Sequence, residues 1–253
     1  MQPMSNHRSL RTAVLGLVAA AALGGCAVFR SPPPLTPETA YTQGMEAYEA
    51  GRYRRAAELL QQFVTTAGPD ARLKPTLMAL AHSRMEMREY VTAASDYLRV
   101  ATQFPSDPEA AEARFGLCEA YYRLAPRPQL DQEYTHAAIT YCDSYRQYYP
   151  ASARAAEAGG YVAELRGRLA EKSYLNGYYY LRRGLFDASV VYFNVVVDDF
   201  PETAHAPTAL ARMAEAYARM GYREEEAAAR QRLLREYPQS PEARNLASAP
   251  PQG

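Results

Sequence analysis

From Thr36 onward, apolar and small residues recur at intervals of three and four, and no stretch alternates with period two for long. That spacing places the apolar side chains on one stripe of a helix and predicts an all-helical body. With Gly51, Arg88, Gly184 and Gly221 taken as origins, the same residue types return at fixed offsets. Seven residues before stand Gly44, Ala81, Gly177 and Ala214; five after stand Ala56, Ala93 and Ser189, with Glu226 beside Ala227. Nine after stand Leu60, Tyr97, Phe193 and Arg230, and twelve after stand Phe63, Val100, Val196 and Leu233. Small residues suit a close helix crossing, and large ones fill the space beside it.

Seventeen residues after each origin come Gly68, Pro105, Pro201 and Pro238, the prolines preceded by Phe104, Phe200 and Tyr237. A proline pushes the residue before it out of the helical region, so each unit is predicted to end there. A further unit is recognised from its end, Tyr149 and Pro150, with Ala138, Cys142 and Tyr145 at the expected offsets and an expanded turn over Pro126, Arg127, Pro128, Gln129, Leu130 and Asp131. This pattern resembles the tetratricopeptide repeat. It implies an all-α fold, a right-handed solenoid of about five helix-turn-helix units spanning roughly 36–70, 72–106, 107–150, 151–201 and 204–239.

Ser152 to Arg183 contains no proline, so a single helix of about 48 Å is expected there, with a break at Gly159 and Gly160 as the alternative. Residues 38–150 then form an N-terminal half, 151–241 a C-terminal half, and 242–253 a disordered tail.

At the other end, His7, Arg8 and Arg11 precede an apolar run from Ala13 to Leu23, too short for a membrane span. The run closes on Leu23, Gly24, Gly25 and Cys26, which resembles the lipobox of bacterial lipoproteins. The resemblance implies a signal peptide over 1–25 and a diacylglycerol on Cys26. Ala27 stands where an inner-membrane retention signal would place Asp, so the expected location is the outer membrane, lipid-anchored and facing the periplasm. Residues 26–37, with Pro32, Pro33, Pro34 and Pro37, form a stiff extended tether.

Composition excludes more than it suggests. Lys+Arg 28 balances Asp+Glu 28, so charge gives no reason to expect a nucleic-acid partner. All but two of the basic residues, Lys74 and Lys172, are arginine, which disfavours Schiff-base and P-loop chemistry. His82, His136 and His205 lie in three different units without ligand spacing, so no metal, no cofactor and no enzymatic activity are expected. Glu224, Glu225 and Glu226 are expected to form a solvated face. Cys118 and Cys142 fall on core offsets at comparable distances from the expanded turn. Two buried free thiols are the preferred reading, and a disulfide is the alternative. Tyr178, Tyr179 and Tyr180 cannot all enter one seam; Tyr180 is assigned to the core, and Tyr178 and Tyr179 to an interface.

Two local stretches make a closer resemblance specific: Leu130-Asp131-Gln132-Glu133-Tyr134-Thr135-His136-Ala137-Ala138-Ile139, and Arg168-Leu169-Ala170-Glu171-Lys172 with Tyr179-Tyr180-Leu181-Arg182-Arg183-Gly184 leading through Phe186. With the lipobox, the tether and five units, they resemble the BamD family of the outer-membrane β-barrel assembly machinery. The resemblance implies a non-enzymatic scaffold that docks the POTRA region of a BamA-like barrel protein through its C-terminal units, alongside other Bam lipoproteins. Tyr179, Arg183, Phe186 and Tyr192 are the docking candidates. Many family members carry Asn-Arg where Val191 and Tyr192 stand here, so the usual arginine contact must be aromatic, moved to Arg183, or absent. The N-terminal units are expected to receive unfolded outer-membrane proteins, with Tyr41, Tyr48, Tyr53 and Arg84 as candidates. The competing reading is a structural envelope lipoprotein, a cell-wall coordinator or a secretin pilotin.

Overall fold

The computed structural model describes residues 35–248, so the signal peptide, Cys26 and most of the tether lie outside the described residues. Eleven helices follow in chain order: α1 Pro37–Glu49, α2 Tyr53–Thr66, α3 Leu73–Glu86, α4 Tyr90–Gln103, α5 Glu109–Leu124, α6 Glu133–Tyr148, α7 Ala153–Arg182, α8 Phe186–Asp199, α9 His205–Met220, α10 Arg223–Glu236 and α11 Pro241–Ser248. Each packs on its neighbours in sequence, α1 on α2, α2 on α3 and onward, giving a helical-repeat solenoid of five pairs with α11 against the last pair.

The origins of the repeat are the residues whose backbone turns left-handed: Gly51, Arg88, Gly184 and Gly221 have φ of 69°, 61°, 74° and 79°. Such a residue closes a helix by letting the next amide reach back five positions. Arg52 N–H donates to Ala47 O at 2.8 Å, Glu89 to Arg84 O at 2.8 Å, Leu185 to Tyr180 O at 3.0 Å and Tyr222 to Tyr217 O at 3.0 Å. The second helix of each later pair ends as the prolines require: Phe104, Tyr149, Phe200 and Tyr237 sit at φ of −127°, −130°, −132° and −129°.

The offsets form the core. Leu60, Phe63, Val100, Phe193, Val196 and Leu233 are buried, as are Ala56, Ala93 and Ser189. Helix α7 runs unbroken through Gly159 and Gly160 for 30 residues, about 45 Å. It carries the expanded turn of the third unit on its flank: Arg168 donates to Ala125 O at 3.2 Å and Lys172 to Leu130 O at 2.6 Å. Gln132, buried under that turn, donates to Arg127 O at 3.0 Å and Leu130 O at 2.9 Å.

Four expectations are corrected. Residues 241–248 are helical, because Ala243 is buried and Leu246 packs on the last pair. Glu226 is buried, since Arg230 at 2.8 Å and Arg223 at 3.5 Å supply its counter-charges. Cys118 and Cys142 are joined as a disulfide instead of packing as free thiols; their Cα atoms lie 4.7 Å apart across α5 and α6. Tyr178 packs on the C-terminal core, and Tyr180 is only half-buried, so their roles are exchanged.

Candidate functional site: an aromatic ladder and a three-unit cleft

Gly184 reverses the chain so tightly that α8 runs back along the end of α7. Tyr180 and Tyr192 consequently stack, with centroids 5.4 Å apart and planes within 9°. Tyr179 meets Tyr180 edge-on at 5.3 Å, and the Arg183 guanidinium lies 4.5 Å over the Tyr179 ring. Arg183, Tyr179, Tyr180 and Tyr192 thus form one ladder from cation to aromatic face. It is open to solvent, with Tyr179 51% exposed and Val191 62% exposed beside it. Among the described residues neither Arg182 nor Arg183 forms an ion pair. Three of the four docking candidates therefore come together. Phe186 differs: it is half-buried against the core of the last two units.

The N-terminal candidates do not converge. Tyr48 and Tyr53 approach to 6.4 Å, and Tyr48 Oη lies 3.4 Å from His82 Nδ1. Tyr41 instead packs on Phe63 at 5.3 Å under the Arg72 guanidinium, which Asp70 and Glu38 hold. Arg84 is committed internally, paired with buried Asp96 and donating to Gln61 Oε1 at 2.6 Å. It is no receptor for an incoming carboxylate, because its own carboxylate is already in place.

The residues missed lie beside Tyr48. His82 Nε2 sits 3.2 Å from Glu112 Oε1, and the Tyr97 ring stands edge-on to His82 at 5.8 Å. Tyr97 fits only because Gly116 faces it: a Cβ there would fall 2.5 Å from the ring. These residues, with Arg123 and Arg154, line a cleft of about 590 Å³ built from the second and third units and the start of α7. Burial, and then Glu112 and Glu119, push the Tyr97 phenol up, so it stays neutral in the wall of the cleft. A large residue at offset nine facing a glycine of the next unit was the sequence signal that could have found this place.

Among the described residues no group of three or more His, Cys, Asp or Glu side chains is placed to hold a metal. No described helix is long and apolar enough to cross a membrane.

Five helix pairs, four of them closed by left-handed turns, define a helical-repeat solenoid of the tetratricopeptide type. Residues 33–233 match the YfiO family, described as outer membrane lipoprotein, and the chain belongs to that family. The outer membrane protein assembly factor BamD of Caulobacter vibrioides is 24% identical over 217 residues, covering 84% of this chain and 71% of that protein. The protein of the same name from Rickettsia prowazekii is 25% identical over 215 residues, covering 84% of each. Among solved structures, a tetratricopeptide protein of Thermus thermophilus is 18% identical with a TM-score of 0.35, covering 83% of this chain and 96% of that one. PcrH from Pseudomonas aeruginosa is 20% identical with a TM-score of 0.38, covering 55% and 98%.

Proposed function

We propose that this chain acts in outer-membrane protein assembly as a lipid-anchored scaffold on the periplasmic face of the outer membrane, held by Cys26. Its α7–α8 edge docks the POTRA region of a BamA-like barrel protein, in company with other Bam lipoproteins. The observation that carries this reading is the exposed ladder of Arg183, Tyr179, Tyr180 and Tyr192. Interfaces are enriched in tyrosine and arginine anchors, and a guanidinium stacked on a ring is pre-ordered to meet a carboxylate. Tyr192 then replaces an arginine contact with an aromatic one, while Arg183 supplies the charge. Unfolded outer-membrane protein segments enter the cleft between the second and third units, where partly exposed His82 offers an aromatic face and exposed Arg154 a cation to an extended chain, with buried Tyr97 forming the wall behind His82.

The test is affinity purification of the full-length lipidated protein from its native outer membrane, beside an Arg183→Glu, Tyr192→Ala variant. Recovery of a BamA-like barrel protein that the variant loses supports the docking edge. Recovery of peptidoglycan-binding or secretin components in its place would replace this reading with a structural envelope lipoprotein.

A further inference from the structure

The last two turns of α7 carry a stripe that the rest of the fold covers only in part: Tyr178 packs on the C-terminal core, whereas Leu175, Tyr179, Arg182 and Arg183 are exposed. Leu175, Tyr178, Tyr179, Arg182 and Arg183 are spaced i, i+3, i+4, i+7 and i+8, so they share one face. Together they line a groove of about 370 Å³. Leu175 is 38% exposed, a large apolar side chain left in solvent in the groove lining. Every charged residue in the lining is an arginine. The Arg212 guanidinium lies 5.6 Å over the Tyr178 ring, but Glu215 at 2.8 Å neutralises it. Arg182 and Arg183 remain without an acid among the described residues, at the C-terminal end of a long helix whose macrodipole already favours cations.

We infer that this groove is a second docking site, separate from the Tyr180–Tyr192 stack, for a protein segment that places an apolar side chain on Leu175 and carboxylates against Arg182 and Arg183. The inference rests on the scaffold reading above and extends it: Tyr179 and Arg183 become a ridge shared by two surfaces, one on α8 and one on α7. A guanidinium meets a carboxylate through paired, charge-assisted hydrogen bonds, so an acidic segment is selected and a basic one repelled. The exposed Leu175 and Tyr179 exclude a free anion as the natural occupant, because a phosphate or lipid headgroup would leave that apolar surface uncovered.

The experiment places the photocrosslinker p-benzoylphenylalanine at Leu175 or, separately, at Val191 of the full-length protein in native outer membranes, and maps each adduct to a peptide by mass spectrometry. The Leu175 adduct is expected on a segment rich in Asp or Glu with an adjacent apolar residue. Arg182→Glu should cut its yield at least tenfold, Arg182→Gln by less, and neither should change the Val191 adduct or the Tm. Exchanging the mapped carboxylate for lysine should restore the Arg182→Glu yield. A Val191 adduct with no Leu175 adduct, a Leu175 adduct on a segment without acid, or a yield indifferent to Arg182→Glu would each overturn the second site. A Leu175 adduct without a Val191 adduct would sink the docking edge of the preceding section and leave the groove standing.

Discussion

Gly177 on α7 and Phe193 on α8 divide one volume between them: a Cβ on the glycine would stand 2.7 Å from Phe193 Cε1 and 2.8 Å from Cδ1. The ring cannot retreat, because Phe193 is fully buried. Alanine is the better helix former by roughly 1 kcal/mol, yet forcing a methyl into a closed core costs about 1–3 kcal/mol. Gly177→Ala should therefore destabilise by about 1 kcal/mol. Gly160 is the control: it lies in the same helix, exposed, and a methyl placed on it would meet nothing within 4 Å. Gly160→Ala should raise stability by about 0.5 kcal/mol. Urea unfolding of both variants checks the opposite signs, and two equal shifts would contradict the packing argument.

Arg84 and Asp96 make a prediction that couples stability to pH. Burial pushes the Asp96 carboxyl above the usual carboxylate range, and Arg84 pulls against that rise. A raised carboxyl means the folded state holds its proton more tightly than the unfolded chain. Its contribution is present below the unfolded value and is lost as pH rises through the folded one. Removing Arg84 widens that window upward. Arg84→Ala should cost about 3 kcal/mol near neutral pH, from a buried charge left without its partner, and markedly less near pH 4, where the carboxyl is substantially protonated in both states. Denaturation midpoints at the two pH values decide it: an equal loss at both would show that Arg84 acts by packing alone.

What the residues disclosed in advance divides along a physical line. The repeat was legible because the turn, the crossing and the closing proline are each local demands on one residue type. Gly51, Arg88, Gly184 and Gly221 all proved to be the left-handed closures. Tyr179, Arg183 and Tyr192 came from the family resemblance and not from spacing; they meet because they lie within one helix pair, across a single turn. The cleft was not legible, because His82, Tyr97, Glu112 and Arg154 come from four helices whose relative placement depends on the stacking of successive units. Arg84 and Glu226 misled for a related reason: whether a charge is free depends on a partner twelve residues away or one helical turn away. Spacing alone does not say which of several acids or arginines that partner is.

The bridge between Cys118 and Cys142 closes a loop of 24 residues around the expanded third turn. Such a loop restricts the unfolded chain by about 3 kcal/mol on the chain-entropy account. Replacing both cysteines with alanine should lower stability by about that amount while the neighbouring units keep their helices. Both cysteines are fully buried, so a reductant should reach the bond only through unfolding. Thiol labelling of the native protein in dithiothreitol should then follow the unfolding rate and rise with urea. Labelling that is fast and independent of urea would mean that the third unit opens locally.

Phe186 and Tyr179 separate folding from docking. Phe186 is half-buried on the C-terminal core, so Phe186→Ala forfeits apolar contact worth about 1–2 kcal/mol. Any partner it loses could be lost through the fold. Tyr179 is half exposed and touches Tyr180 and Arg183 at the surface. Tyr179→Ala should leave unfolding within about 0.5 kcal/mol of the parent protein. It should nevertheless weaken binding by about 30-fold, the loss of a central aromatic anchor. Thermal unfolding, paired with interferometry on the periplasmic region of the proposed BamA-like partner, measures both quantities on one preparation. Unchanged affinity in Tyr179→Ala at an unchanged Tm would remove Tyr179 from the interface, whatever Phe186→Ala does.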